Sequence, residues 1–483
     1  MRIAITIVAS LALASTAAGA TAPLDPAFNG GALVTIPIGS SAELKGLAAA
    51  PDGSLAATGT AVVDNRVQTF LTHRLPGGAF DPAFGGGKGY VVNAFGGAAD
   101  ATRDATAVAI QADGHILVTG TTGGRLFVAR YAADGTLDPL FGGGGVYVDP
   151  DLQFDPDTGP LAMYARPDGG AVVVGSIPSS VGRSVLAIAF TPIGGIDTAF
   201  ANRGVFVTQL GKRGFQTPAD SVAASLGVDA AGNYLLGGER TNRKGAPRAL
   251  LVKLDPSGAE QPIADAAGAL PEATAVRAIR VETDGITVAG SALDKVGDNA
   301  SFVAKLDTGA NRVWNRTLQL GRPSRTHNAF SVLSALGADG LVAGAADEDI
   351  VALRVDPAGN VACTDRTVIP GQRRGLPSVA GNVVGTTQAN LPTLAGLLAA
   401  PPATGAPSAT TGRVIKVSKK QRALTGVIDP GCAGEVRATF VAGRHRVSAG
   451  RLAAGTGPQA VRAVVKAKPK RRYRLVVSGS AAR

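Results

Sequence analysis

The sequence predicts an all-β protein: a seven-bladed β-propeller, with six or eight blades also compatible, followed by a small C-terminal β-sandwich-like domain. Three observations lead there. A short hairpin signal recurs seven times, small and apolar residues dominate, and charge divides sharply between two parts of the chain.

The hairpin signal is a tight turn followed by an apolar run reaching a glycine. It occurs at Asp52-Gly53 before Leu55 to Gly59, Asp113-Gly114 before Ile116 to Gly120, and Asp168-Gly169 before Ala171 to Gly175. It recurs at Ala231-Gly232, Asp284-Gly285, Asp339-Gly340 and Ala380-Gly381, the last before Val383 to Gly385. Glycine accepts positive φ without steric cost and aspartate bonds its own backbone, so each copy predicts two antiparallel strands. A third apolar run follows in most copies, such as Leu126 to Tyr131 and Leu250 to Leu254. A fourth follows after another turn, such as Val146 to Val148 and Val205 to Val207. Four strands per repeat is the pattern of a propeller blade, whereas solenoid rungs are shorter. The chain opens with an unmatched fourth-strand segment, Ala32 to Ile38, while the last copy ends after its third strand near Leu398. The N-terminal strand is therefore expected to complete the last blade and remove an open edge.

Composition agrees. Of 483 residues 45% are hydrophobic, 17% charged and 65 are glycine, which describes a globular, turn-dense chain. Residues 1–20 hold one charge, Arg2, an apolar run through Leu13 and the small residues Ala18-Gly19-Ala20, the pattern of a cleaved signal peptide. The apolar run is too short to span a bilayer, and no later stretch is long enough, so no transmembrane segment is expected in a secreted mature chain. The propeller is assigned to residues 21–400. Residues 401–412, rich in Pro, Ala, Thr and Gly, read as a linker, and 413–483 as a basic β domain with six strand-like runs between Val414 and Val477. Net charge is +15 over 412–483 and −5 over 21–411. In an oxidising compartment Cys363 and Cys432 could form a bridge between the two parts or remain separate buried thiols; sequence leaves both open.

Chemistry-bearing patterns are sparse. His73, His115, His327 and His445 show no metal-ligand spacing, and no nucleophile elbow or phosphate loop occurs. Asp25, Asp81, Asp138 and Asp197 recur at one place in the repeat, where an aspartate initiates a turn by bonding its own backbone. Asp149, Asp151, Asp155 and Asp157, on a turn-rich segment with Gly159, form the candidate calcium loop, although a bidentate glutamate at the far end is lacking. Asp347, Glu348 and Asp349 make a second acidic turn. Lys466, Lys468, Lys470, Arg471, Arg472 and Arg474 form a polyanion-binding candidate. Tyr473 is the one ring among them, so nucleic acid is not the expected partner.

The corners Leu24-Asp25-Pro26-Ala27-Phe28, Phe80-Asp81-Pro82-Ala83-Phe84-Gly85-Gly86-Gly87 and Leu137-Asp138-Pro139-Leu140-Phe141-Gly142-Gly143-Gly144 resemble the delta-60 repeat of exported bacterial proteins. Ile196-Asp197-Thr198-Ala199-Phe200 is a weaker copy without the proline. The resemblance covers residues 24–204 and implies an exported repeat array of unassigned activity. The expected function is thus a non-enzymatic propeller binding an envelope polymer, glycan or protein, with no cofactor unless calcium. The alternatives are a calcium-assisted enzyme on an extracellular polymer and a purely structural surface protein. Low aromatic content, 5% with Trp314 the single tryptophan, favours the structural alternative over sugar binding.

Overall fold

The structure is a computed structural model. It describes residues 38–93, 95, 103–154, 159–180, 182–211, 220–242, 244–293, 299–318 and 357–358, and the strands from residue 329 onward named below. The expected leader, residues 32–37 of the expected strand Ala32 to Ile38, Cys432, Asp155, Asp157, Asp347, Glu348 and His327 lie outside these residues.

Blade 1 contains β1 (Ala42–Ala49), β2 (Leu55–Val63), β3 (Arg66–Arg74) and β4 (Tyr90–Asn93), and blade 2 contains β5 (Arg103–Ile110), β6 (Ile116–Thr122), β7 (Arg125–Tyr131) and β8 (Val146–Gln153). Blade 3 follows with β9 (Gly159–Ala165), β10 (Ala171–Ser179), β11 (Gly182–Phe190) and β12 (Val205–Thr208). Blade 4 holds β13 (Ser221–Val228), β14 (Tyr234–Thr241), β15 (Pro247–Leu254) and β16 (Glu260–Gln261), and is joined through the short helix α1 (Ala266–Ala269) to the next sheet. Blade 5 holds β17 (Ala273–Glu282), β18 (Gly285–Leu293), β19 (Asn299–Leu306) and β20 (Arg312–Leu318). Blade 6 holds β21 (Ala329–Leu336), β22 (Asp339–Ala346), β23 (Asp349–Val355) and β24 (Val361–Ile369). Within each blade successive strands pair antiparallel. The inner strands β1, β5, β9, β13, β17 and β21 pack on one another in chain order.

The short segment β25 (Val384–Gly385) departs from the expected seventh hairpin. It pairs parallel with β1 and also approaches β13, β17 and β21, so it lies on the inner side of the array. The turn expected at Ala380-Gly381 is outside the described residues. Beyond it, β26 (Ser408–Ala409), β27 (Arg413–Lys416), β28 (Arg422–Asp429) and β31 (Gln459–Val465) form one sheet. The strands β29 (Ala433–Ala442), β30 (His445–Ala453) and β32 (Arg474–Ala481) form a second. All six strands expected between Val414 and Val477 are present.

The hairpins form as their residues dictate. Gly53, Gly114, Gly169 and Gly232 all adopt φ between +83° and +86°. Each donates its N–H to the residue three back, at 2.9–3.0 Å. Each loop is thus a three-residue turn closed by a left-handed glycine. The apolar run does not end at its glycine, however. Strands β2, β10, β14, β18 and β22 continue past Gly59, Gly175, Gly238, Gly290 and Gly344, because these positions face a bulge in the inner strand, where one residue is left without a ladder partner. A Cβ on Gly175 would stand 2.0 Å from the carbonyl oxygen of Gly159.

The core lies between blades. Ala107, Leu117, Val128 and Phe141 of blade 2 pack on Met163, Val173, Ile188 and Phe190 of blade 3, and comparable layers join blades 1 and 2, 3 and 4, and 4 and 5. This is why the strands read in sequence as near-continuous apolar runs: the sheets of blades 2, 3 and 4 are each covered on both sides by a neighbour.

Candidate functional site

The hairpins and the turns between third and fourth strands share one end of every sheet. At this end acids and bases pair in a repeating way. His73 Nδ1 lies 2.8 Å from Asp81 Oδ2, while Asp81 Oδ1 accepts the Ala83 N–H at 2.9 Å. In blade 2 the Arg130 Nε and Nη2 donate to Asp138 Oδ2 at 2.7 and 2.6 Å, and Asp138 Oδ1 accepts the Leu140 N–H. Burial alone would raise the Asp138 pKa, but the Leu140 N–H and the Arg130 guanidinium outweigh it and hold the carboxyl below its usual range. Blade 3 has alanine at the corresponding strand position, Ala189, and Arg166 from its hairpin reaches Asp197 instead, at 2.7 Å.

The same end of blades 4 and 5 pairs Lys253 with Asp229 at 3.5 Å and Lys305 with Asp284 at 2.6 Å; Lys305 and Arg280 both also meet Glu282. His73, Arg130, Lys253 and Lys305 all occupy the next-to-last position of a third strand. The sequence reading missed them, though a base recurring opposite the start of the second strand was the available signal. The recurring aspartates are consumed in turns and ion pairs, so their role here is structural, as expected for Asp81, Asp138 and Asp197. Asp25 lies outside the described residues.

Asp149 is 3% exposed and both of its oxygens accept hydrogen bonds. Oδ1 accepts from the N–H groups of Asp151 (2.9 Å) and Leu152 (2.8 Å), and Oδ2 from the Tyr147 hydroxyl (2.9 Å). It holds the outward excursion of β8, where the ladder jumps from Phe127↔Val148 to Arg125↔Gln153. The phenol of Tyr147 is driven up by burial and then by Asp149. Asp151 sits on the same strand. Among the described residues no three His, Cys, Asp or Glu side chains cluster as a metal site. Of the basic run, Arg474 starts β32; Lys466, Lys468, Lys470, Arg471 and Arg472 are outside the described residues.

Two apolar side chains stand out on the hairpin end. Leu140 is 77% exposed and Ile193 71% exposed. They flank one joint, because the Gly142 N–H donates to the Ile193 carbonyl at 2.8 Å. The equivalent residues in the other described joints are Ala83 with Asp134 and Ala199 with Ser257, so the blade 2–3 joint is where leucine and isoleucine replace small or polar residues. Beside the next joint a groove of about 690 Å³ runs between β12 and the turn before β16, lined by Asn202, Val205, Val207, Ser257, Gly258 and Glu260. Its lining mixes polar groups, Asn202, Ser257 and Glu260, with the apolar Val205 and Val207.

Inner strands packed in sequence and repeated four-stranded sheets define a β-propeller. Residues 111–141 match the family described as "Domain of unknown function (DUF5122) beta-propeller". No curated protein matches the chain. Among solved structures, the calcium-binding protein regucalcin from Agrobacterium tumefaciens is 14% identical over 65% of this chain and 88% of its own, with TM-score 0.33. Sqt1 of Chaetomium thermophilum bound to the N-terminus of ribosomal protein L10 is 10% identical over 88% and 97%, with TM-score 0.36. A protein of unknown function from Bacteroides caccae is 11% identical over 57% and 82%, with TM-score 0.34. The fold assignment rests on the sheet arrangement rather than on these likenesses.

Proposed function

We propose that the chain is an exported, non-enzymatic binding propeller of seven delta-60-like blades, acting at the cell envelope or outside the cell. Its recognition surface is the hairpin end around Leu140 and Ile193, and its C-terminal domain is a small sandwich whose basic run retains it on anionic envelope polymer. The observation that carries this reading is the pair Leu140 and Ile193: two large apolar side chains exposed on rigid turns, tied by a backbone hydrogen bond across a joint. Exposed apolar groups on an ordered frame favour contact with a partner, and sites on such folds sit on their connecting turns.

The test is binding of the full-length mature protein to isolated envelope polysaccharide and envelope protein at low and high salt. Three proteins are compared: the unchanged chain, a Leu140→Ser/Ile193→Ser variant, and one with Lys466, Lys468, Lys470, Arg471, Arg472 and Arg474 replaced by glutamine. The expected outcome is loss of salt-resistant binding in the first variant and of salt-sensitive binding in the second. Equal binding by all three would reject the assignment.

A further inference from the structure

Three consecutive joints share one geometry. The N–H after the corner phenylalanine donates to the turn of the next blade: Gly85 to Asp134 at 2.8 Å, Gly142 to Ile193 at 2.8 Å and Ala201 to Ser257 at 2.7 Å. A left-handed glycine follows each acceptor, and the ring of Phe84, Phe141 or Phe200 lies within about 3 Å of where a Cβ on Gly135, Gly194 or Gly258 would be. Blade 1 carries the same turn: Gly78 has φ +79° and donates to Leu75 O at 2.8 Å. Its corner would have to precede Ile38, the first described residue. In the sequence Phe28-Asn29 precedes Gly78 by nearly the interval that separates Phe84 from Gly135.

Two further observations bear on the chain ahead of Ile38. Ile38 is 4% exposed and packs with Phe70, as Phe95 packs on Phe127 with ring centres 4.8 Å apart; Phe70 and Phe127 hold equivalent places, opposite Gly59 and Gly120. The chain therefore enters blade 1 past Ile38 as it enters blade 2 past Phe95. Arg74 closes β3 at the position filled by Tyr131, Phe190, Leu254 and Leu306 elsewhere, all buried apolar or aromatic. It is 6% exposed, lies 3.8 Å over the Phe80 ring and donates Nη1 to Gly78 O at 2.8 Å, but its buried Nε and Nη2 have no hydrogen-bond partner. A buried guanidinium needs acceptors. Its counterpart Tyr131 finds one on the preceding blade's outer strand, Asn93 Oδ1, at 3.0 Å.

We propose that Arg74 and the turn Leu75 to Gly78 form a docking surface for residues 24–38 of the same chain. Phe28 seats on Gly78, the Asn29 N–H donates to the Gly77 carbonyl, and main-chain carbonyls of residues 33–37 accept the free N–H groups of Arg74. The occupant is the chain's own segment because Ile38, continuous with it, already holds on blade 1 the place that Phe95, which follows β4, holds on blade 2. The inference holds for any blade number.

The test uses the full chain with Cys363→Ser and Cys432→Ser. Asn29→Cys/Gly77→Cys is oxidised in parallel with Ala201→Cys/Ser257→Cys, which probes a joint seen in the structure. Both pairs are expected to close within one chain to a similar extent, read by mass spectrometry of linked peptides. Closure of the second pair alone, or a first pair that links two chains, overturns the proposal. Independently of disulfide chemistry, Phe28→Ala is expected to lower the thermal midpoint about as much as Phe84→Ala. An unchanged midpoint for Phe28→Ala beside a lowered one for Phe84→Ala also overturns it.

Discussion

Phe141 of blade 2 lies against Gly194 of blade 3 so closely that a Cβ on Gly194 would stand 2.8 Å from its ring and 2.5 Å from the Gly142 nitrogen. Gly194 also holds φ +81°. Alanine there meets a backbone atom that cannot yield cheaply, besides the cost of about 1 kcal/mol for positive φ. Gly144, at φ +75°, has nothing within 4 Å of its absent Cβ. Gly194→Ala should therefore cost about 2–4 kcal/mol in denaturant midpoint analysis and Gly144→Ala only about 1 kcal/mol. Equal costs would show that the joint does not transmit the clash.

The Arg130–Asp138 pair tests the acid–base end. Asp138→Asn leaves a largely buried guanidinium without its carboxylate, which should cost about 3 kcal/mol at neutral pH. The folded carboxyl has a lowered pKa, so its stabilisation is complete above the ordinary value of about 3.9 and fades as pH falls through the lower folded value. Asp113, Asp168 and Asp229 are lowered too, so stability should decline from about pH 4 downward, and Asp138→Asn should flatten that decline. Urea midpoints between about pH 2 and 7 measure both effects.

These two relationships divide what was legible in the sequence from what was not. The hairpins were legible because each glycine and its aspartate act within a few residues, and the strand runs because both faces of the sheets of blades 2, 3 and 4 are covered. The joints were not: Phe141 and Gly194 are far apart in sequence, and nothing in Ile193-Gly194 alone says that a ring will rest on it. Nor was the pairing of Arg130 with Asp138, since the substitution of its role by Arg166 in blade 3 hides the periodicity. The exposed pair Leu140 and Ile193 becomes visible only once the corners are aligned against each other.

Asp149 provides a test of the acidic segment. Its carboxylate holds two backbone N–H groups and a tyrosine hydroxyl in this structure, which requires no metal. Asp149→Ala leaves those donors, part-buried, without an acceptor and should cost about 2–3 kcal/mol. The loss should be the same in excess EDTA and in millimolar calcium, measured by thermal unfolding. A calcium-dependent midpoint that Asp149→Ala abolishes would instead place an ion on Asp149, Asp151, Asp155 and Asp157.

Gly175 faces the bulge of the inner strand β9. It has no positive φ to explain it, and the apolar run around it, Ala171 to Ser179, favours a β-branched residue at every buried place. Opposite it, though, Leu161 is left out of the β9 ladder, and the Gly159 carbonyl turns to within 2.0 Å of where a Cβ would be. The same approach is made by Glu43 to Gly59, Val222 to Gly238 and Ala275 to Gly290, at 1.8–2.0 Å. A carbonyl oxygen that crowds the facing glycine in blade after blade is a property of the inner strand's bend, not of a local turn, so relief requires straightening the strand that lines the array. Gly175→Ala should cost at least about 3 kcal/mol. It should also raise amide exchange in β9 and β10 more than in β15, which a purely global loss of stability would not do.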